Sequence, residues 1–135
     1  MRLIREFFAA LQRMLEKKEI EDRREAIRDM YEKYVGPYAF YHDATVNEVM
    51  KAIGGMEEEQ RLPKAEMLAE LYYAEADTVS NPERDFLLEK AFCLFDFIDK
   101  NGRTYSFDRL RKMNDIRKRL GKGEISPSDC PIFIK

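Results

Sequence analysis

The sequence predicts an all-α protein built from antiparallel helical hairpins, and two observations carry this prediction. Apolar residues recur at three- and four-residue intervals along most of the chain, which is typical of amphipathic helices. The intervals between these stretches are short, which favours antiparallel neighbours. We expect five main helices plus one short helix in a tetratricopeptide-like arrangement, with residues 2–35 and 64–100 as two hairpins and 106–120 packed over the second. A single domain would span residues 1–123, and a proline-containing tail residues 124–135.

The first two helices are expected over residues 2–18 and 20–35. Both carry an apolar stripe between charged residues, as a helix on the surface of a core does. Gly36 is expected to cap the second helix in a left-handed conformation, and Pro37 prevents its continuation. Residues 38–42 are short and aromatic, and we expect them to form an ordered loop.

The short helix is expected after residue 45. Thr45 and Glu48 have the spacing of a capping box, in which the hydroxyl and the carboxylate each bond to a backbone amide of the first turn. Gly54 ends this helix, and residues 56–63 are expected to be the most exposed connection in the chain.

The last three helices are expected over residues 64–79, from Pro82 to about residue 100, and over 106–120. Proline suits the first turn of a helix, and Ser106 is a preferred residue just before one. The helix after Pro82 is apolar in nearly every direction, so it should be the most buried element. Gly121 ends the final helix.

The charge is distributed unevenly although the net charge is only -2. Residues 1–42 have 9 basic and 8 acidic side chains, residues 43–99 have 5 and 14, and residues 100–135 have 10 and 4. The basic end has two main interpretations: a solvated helix face that complements the acidic middle segment, or a patch that binds nucleic acid. The first is better supported, because the sequence contains no nucleic-acid-binding motif. A third interpretation is that the acidic region of one subunit contacts the basic region of another, and this interpretation allows a homodimer. The candidate basic patch consists of Arg109, Arg111, Lys112, Arg117, Lys118 and Arg119.

A group of tyrosines is the candidate partner-binding surface. Tyrosine combines apolar area with a hydroxyl and is favoured at interfaces, although such residues are more often half-buried at the edge of a core. The candidates, placed on the second helix, just after it and on the 64–79 helix, are Tyr31, Tyr34, Tyr38, Tyr72 and Tyr73.

The chain offers few residues for catalysis or cofactor binding. His42 is its only histidine, and a zinc site would need it to converge with Cys93, Cys130 and an acid from distant positions. A disulfide between Cys93 and Cys130 is possible but not indicated, and a free buried cysteine would behave as a small hydrophobe. The stretch 91–108 resembles the start of a calcium-binding EF-hand, but every register loses essential ligands. We therefore predict no catalytic residues, no metal and no cofactor.

The chain has no run of about 20 apolar residues, so no membrane span is expected. Charged residues occupy the first positions, where a signal peptide would be apolar, which predicts a cytoplasmic protein.

Several stretches resemble a family of small bacterial all-helical proteins of uncharacterised function. They are Leu-Gln-Arg-Met-Leu-Glu-Lys-Lys-Glu in the first helix, Glu-Ala-Ile-Arg-Asp-Met-Tyr-Glu-Lys-Tyr-Val-Gly in the second, Leu-Ala-Glu-Leu after residue 67, and Thr-Tyr-Ser-Phe before the last helix. The resemblance covers residues 3–120. It implies a tetratricopeptide-like fold and a bacterial source, and it brings no catalytic residues.

These observations predict a non-enzymatic module that binds a protein or peptide partner through its helical hairpins. Nucleic-acid binding through the basic C-terminal helix is the alternative, and it is the less favoured one.

Overall fold

The computed structural model describes residues 2–102, 104–121 and 130, and this part of the chain is all-helical, with seven α-helices and no strand. The second helix continues directly into a π-helical turn, Tyr31–Val35. The tail expected over residues 124–135 lies outside the described residues, apart from Cys130. The helices are α1 (Arg2–Leu15), α2 (Ile20–Met30), α3 (Tyr38–Asp43), α4 (Val46–Gly54), α5 (Glu58–Ala76), α6 (Glu83–Asn101) and α7 (Phe107–Arg119).

One additional helix, α3, forms where a loop was expected, so the prediction for residues 38–42 is wrong. Both ends of α3 are satisfied by side chains from elsewhere. Glu32 accepts a hydrogen bond from the backbone N–H of Tyr38 at 2.9 Å. The ammonium group of Lys90 donates to carbonyl groups at the C-terminal end. These partners satisfy backbone groups that a six-residue helix would otherwise leave open.

The expected exposed connection over residues 56–63 is also largely helical, because α5 begins at Glu58. Glu58 and Glu59 lie in its first turn, where negative charge is favourable. Pro63 lies further inside the helix and is half-buried. The longer α5 places Leu62 and Pro63 beside other helices instead of in solvent.

Helices α5 and α6 form the centre of the molecule and share its most extensive helix interface. The six residues between them turn the chain back, and α6 is buried on several sides, as predicted. Around this pair, α1, α2 and α4 pack against α5, while α4 and α7 pack against α6. The large side chains that are fully buried at this centre include Met67, Leu68, Leu71, Tyr72, Phe92 and Phe95.

The predicted helix starts at Thr45 and Ser106 are confirmed. Thr45 and Glu48 form the complete capping box, and the Ser106 hydroxyl accepts from the N–H of Arg109 at 3.1 Å. Gly121 ends α7 at a φ of 72°, as expected. The left-handed cap expected at Gly36 is wrong, because this residue has an extended backbone. A side chain is excluded there by the ring of Tyr41, which would lie 2.8 Å from an added Cβ.

The two cysteines are joined in a disulfide, Cys93–Cys130, with a Cα–Cα distance of 5.5 Å. The bond is the alternative that the sequence left open without indicating it. Because disulfides persist mainly in oxidising compartments, the bond does not support the expected cytoplasmic location.

None of the helices in the described part of the chain is long and apolar enough to cross a membrane.

Candidate functional site

Three of the five candidate tyrosines lie in the core and not on a binding surface. Tyr31 and Tyr72 are fully buried, and Tyr34 is 4% exposed. Tyr38 and Tyr73 are half-buried. The expectation of a tyrosine-lined surface is corrected accordingly, because a partner cannot reach the three buried rings in this structure.

The hydroxyl groups of two of these tyrosines converge on Glu75, near the end of α5. Tyr31 donates to Glu75 Oε1 at 2.7 Å, and Tyr38 donates to Oε2 at 2.6 Å. His42 lies on the same carboxylate, with Nδ1 3.0 Å from Oε2. Its other ring nitrogen, Nε2, lies 2.8 Å from Oε2 of Glu83, the first residue of α6. We call His42, Glu75 and Glu83 the His–Glu cluster.

The electrostatics of the His–Glu cluster keep Glu75 ionised although it is buried. Burial alone would raise the pKa of Glu75, but hydrogen bonds from His42, Tyr38 and Tyr31 together lower it. The pKa of His42 is raised, chiefly by its hydrogen bond to Glu75. Burial, together with the charge of Glu75, raises the pKa of Tyr31 well above its usual range. The tyrosines therefore stay protonated and serve as hydrogen-bond donors.

Lys90 is a buried cation beside this cluster. Its side chain is 1% exposed. Nζ donates to the carbonyl oxygens of Tyr41, His42 and Ala44 at 3.1, 2.8 and 2.9 Å. Burial lowers the pKa of Lys90 to about 8, so the ammonium group is still protonated at neutral pH. Lys90 thus connects α6 to the end of α3 and holds His42 in place through its backbone.

The cations of α7 are mostly engaged within the same chain. Each of four basic residues makes an ion pair with a carboxylate: Arg109 with Asp99 at 2.9 Å, Arg111 with Asp108 at 2.7 Å, Lys112 with Glu70 at 2.7 Å, and Arg119 with Asp77 at 2.6 Å. The guanidinium of Arg117 lies 5.0 Å from the ring centre of Phe92. Among the described residues, only Lys118 of the six candidates has no such contact. The basic end and the acidic middle thus compensate each other inside one molecule.

An open groove lies between α1, the first half of α5, the end of α6 and the segment before α7. Its volume is about 550 Å³. It is lined by apolar side chains on three helices, with carboxylates and one guanidinium along its edge. The lining includes Ile4 and Phe8 of α1, Leu62, Pro63, Glu66 and Glu70 of α5, Phe95 and Ile98 of α6, Tyr105 before α7, and Asp108 and Arg109 of α7.

Glu66 is a carboxylate of this groove that makes no direct ion pair. Glu70 and Asp108 both pair with Lys112, and Arg109 pairs with Asp99. Glu66 makes no ion pair with any described residue. Burial raises the pKa of Glu66, although the charges of Arg109 and Lys112 act in the opposite direction. The groove therefore combines apolar walls with one half-buried carboxylate that lacks a partner.

Two exposed aromatic rings lie next to each other where the chain enters α7. Tyr105 is 64% exposed and Phe107 is 79% exposed. They contact each other edge to face, with 5.1 Å between ring centres. Tyr105 lines the groove, and both rings line a second, shallower depression of about 650 Å³ beside Tyr73 and Leu110. An exposed aromatic pair between two depressions is the most accessible large apolar surface near α7.

The fold and these features define an all-helical protein with an apolar groove and a separate polar cluster. No family model, no curated protein and no solved structure matches the chain. The resemblance to a bacterial family is therefore not confirmed, and neither is the tetratricopeptide-like arrangement.

The residues that define the groove and the His–Glu cluster were missed in the sequence for different reasons. Glu66 lies between apolar residues of an amphipathic helix, where a glutamate is usual. His42 was considered only as a zinc ligand together with the cysteines, while its neighbours Glu75 and Glu83 are distant in sequence. Tyr105 lies just before α7 and Phe107 is its first residue. Large aromatic residues at the start of a helix are less often needed to fill a core, so this position was the one sequence signal for an exposed aromatic surface.

Proposed function

We propose that the protein is a non-enzymatic interaction module whose groove binds a short apolar peptide segment with a lysine or arginine side chain. The observation that carries the proposal is the half-buried carboxylate of Glu66, which makes no ion pair in the groove although the charges of Arg109 and Lys112 act on it. A half-buried charge without a partner is unfavourable, and a cation from a partner would relieve it.

The apolar part of the partner is argued from the walls and the rim. The groove has a volume in the range of small-ligand and peptide pockets. Phe107 and Tyr105 hold most of their area in solvent. Aromatic side chains of this kind contribute strongly to binding when a partner covers them. The segment would lay apolar side chains against Phe8, Leu62 and Tyr105.

The expected hairpin arrangement is part of this proposal. The groove is formed where α1 meets the α5–α6 pair, and a tetratricopeptide-like stacking of the hairpins is the arrangement in which such a groove is typical of peptide binding. A bacterial source remains a prediction from the resemblance.

Nucleic-acid binding is the less favoured alternative, because most of the cations of α7 are engaged by carboxylates of the same chain.

Selection of peptides from a random display library tests the proposal. We expect wild-type protein to enrich peptides that combine apolar residues with lysine or arginine. The Tyr105→Ala variant should weaken all selected peptides about tenfold, as loss of an aromatic anchor does. The matched control is Phe40→Ala, which removes another exposed aromatic ring on α3, away from the groove.

Replacement of Glu66 tests the charge separately. The Glu66→Gln variant should weaken peptides with a cation about fivefold and leave peptides without one unchanged, whereas Glu89→Gln, an exposed glutamate on α6, should change neither. No enrichment, or equal binding by the Tyr105→Ala variant, would refute the groove as a peptide site. Light scattering of the same samples reports whether a second copy of the chain occupies the groove instead, which would also refute the proposal.

A further inference from the structure

The His–Glu cluster lies at the other end of the α5–α6 pair from the groove. Glu75 is nine residues after Glu66 on α5, which corresponds to about 13 Å along the helix. The two features share no lining residue. The chemistry of the cluster is therefore independent of the proposed peptide binding.

The donor atoms of the cluster are of the kind that a divalent transition metal prefers. Imidazole nitrogen and carboxylate oxygen both bind Zn²⁺. One donor atom from each of His42, Glu75 and Glu83 lies within 4.8 Å of the other two. Two donors on the same tetrahedral zinc ion are about 3.4 Å apart when each bond is about 2.1 Å. The widest separation in the cluster therefore has to shorten by up to about 1.4 Å, and the side chain of Glu83, which is 40% exposed, is the donor with room to move inward.

The surroundings of the cluster hold two of the three donors in position. Glu75 accepts hydrogen bonds from Tyr31 and Tyr38. The ring of Tyr38 stacks on the ring of His42, with 5.0 Å between centres. Lys90 bonds to the carbonyl oxygen of His42. Hydrogen-bonded partners of this kind orient metal ligands in proteins.

The charge and the accessibility of the cluster agree with a divalent ion. Two carboxylates and a neutral imidazole carry two negative charges, which match the charge of Zn²⁺. Glu75 is 6% exposed and lies at the bottom, whereas Glu83 is partly open to solvent. This leaves an entry path, and a coordination position remains for water or for a donor from another molecule.

We propose that the His–Glu cluster is a zinc site, with His42, Glu75 and Glu83 each supplying one donor atom. A protonated imidazole held between the two carboxylates is the competing state.

Direct metal binding tests this proposal on the full chain after treatment with a chelator. We expect isothermal titration with zinc chloride at pH 7.5 to give one site per chain. The Glu83→Gln variant should lose at least tenfold in affinity, because it replaces a ligand with a neutral amide. The Glu89→Gln variant is the matched control on the same helix and should bind as the wild type does. Thermal melts of the apo proteins report whether each variant keeps its fold.

The single histidine provides a second readout that does not depend on any variant. The ring nitrogen signals of His42 can be assigned without ambiguity in a nitrogen-15 NMR spectrum, since the chain has no other histidine. One equivalent of zinc should shift them, and a chelator should reverse the shift. Absence of zinc binding, binding that leaves these signals unchanged, or equal affinity of Glu83→Gln would each overturn the proposal. The peptide selection above is unaffected by these outcomes.

Discussion

Replacement of Lys90 by methionine should be one of the most destabilising single changes on α6. The variant retains most of the volume and apolar length of the side chain but loses the ammonium group. The carbonyl oxygens of His42 and Ala44 would then lose their side-chain donor, whereas that of Tyr41 would keep the hydroxyl of Tyr72 at 2.6 Å. Each buried acceptor left unpaired costs about 1–3 kcal/mol. Because water can reach the half-buried end of α3, we expect a total loss of about 3–5 kcal/mol.

Urea unfolding followed by circular dichroism measures this loss. Domains of this size have unfolding free energies of about 5–15 kcal/mol, so the midpoint should fall strongly. The control is Lys100→Met, also on α6, where the ammonium group is 60% exposed and pairs only with Asp96. That variant should lose less than about 1 kcal/mol. A Lys90→Met variant within 1 kcal/mol of the wild type would refute the reasoning, since it would mean that the carbonyl groups of His42 and Ala44 do not depend on Lys90.

Three further changes follow from the packing of the helices. Lys112→Met leaves Glu70 buried without its cation; burial already raises the pKa of Glu70, so the folded state of the variant binds a proton more readily than the unfolded chain. In urea unfolding, the Lys112→Met variant should lose about 2–3 kcal/mol of unfolding free energy at pH 7 and clearly less at pH 5. Equal losses at both pH values would show that the charge of Glu70 is not the cause. Replacing Cys93 and Cys130 by serine should cost about 3–4 kcal/mol, because 37 positions separate the bonded residues; a wild-type melting curve unchanged by a reducing agent would argue against the bond. Thr45→Ala removes the hydroxyl of the capping box and should cost about 1 kcal/mol in the same melts, whereas Thr45→Ser should restore most of it.

The sequence predicts the features that depend on neighbouring residues. Thr45 and Ser106 mark helix starts because the cap and its amide are three positions apart. The burial of α6 follows from apolar residues on all of its sides. These predictions are confirmed because the interactions concerned are local or depend only on the composition of one helix.

Features that depend on distant residues were missed. Helix α3 is bonded at its end by Lys90, almost fifty residues later, and no local pattern contains that information. The tyrosines could not be assigned to core or surface, because an amphipathic ring is compatible with both and the acceptor, Glu75, lies 44 residues from Tyr31. The disulfide was missed for the same reason, since its cysteines lie in segments of different character.

The bonds from Lys90 also bear on the order in which the chain folds. A helix of six residues is not stable alone, because the cost of its first turn exceeds the gain from so few hydrogen bonds. Lys90, which bonds to the C-terminal end of α3, belongs to α6 and is synthesised well after α3. We therefore expect α3 to remain unformed until α6 has packed, which makes it a late element of folding although it lies in the first third of the chain.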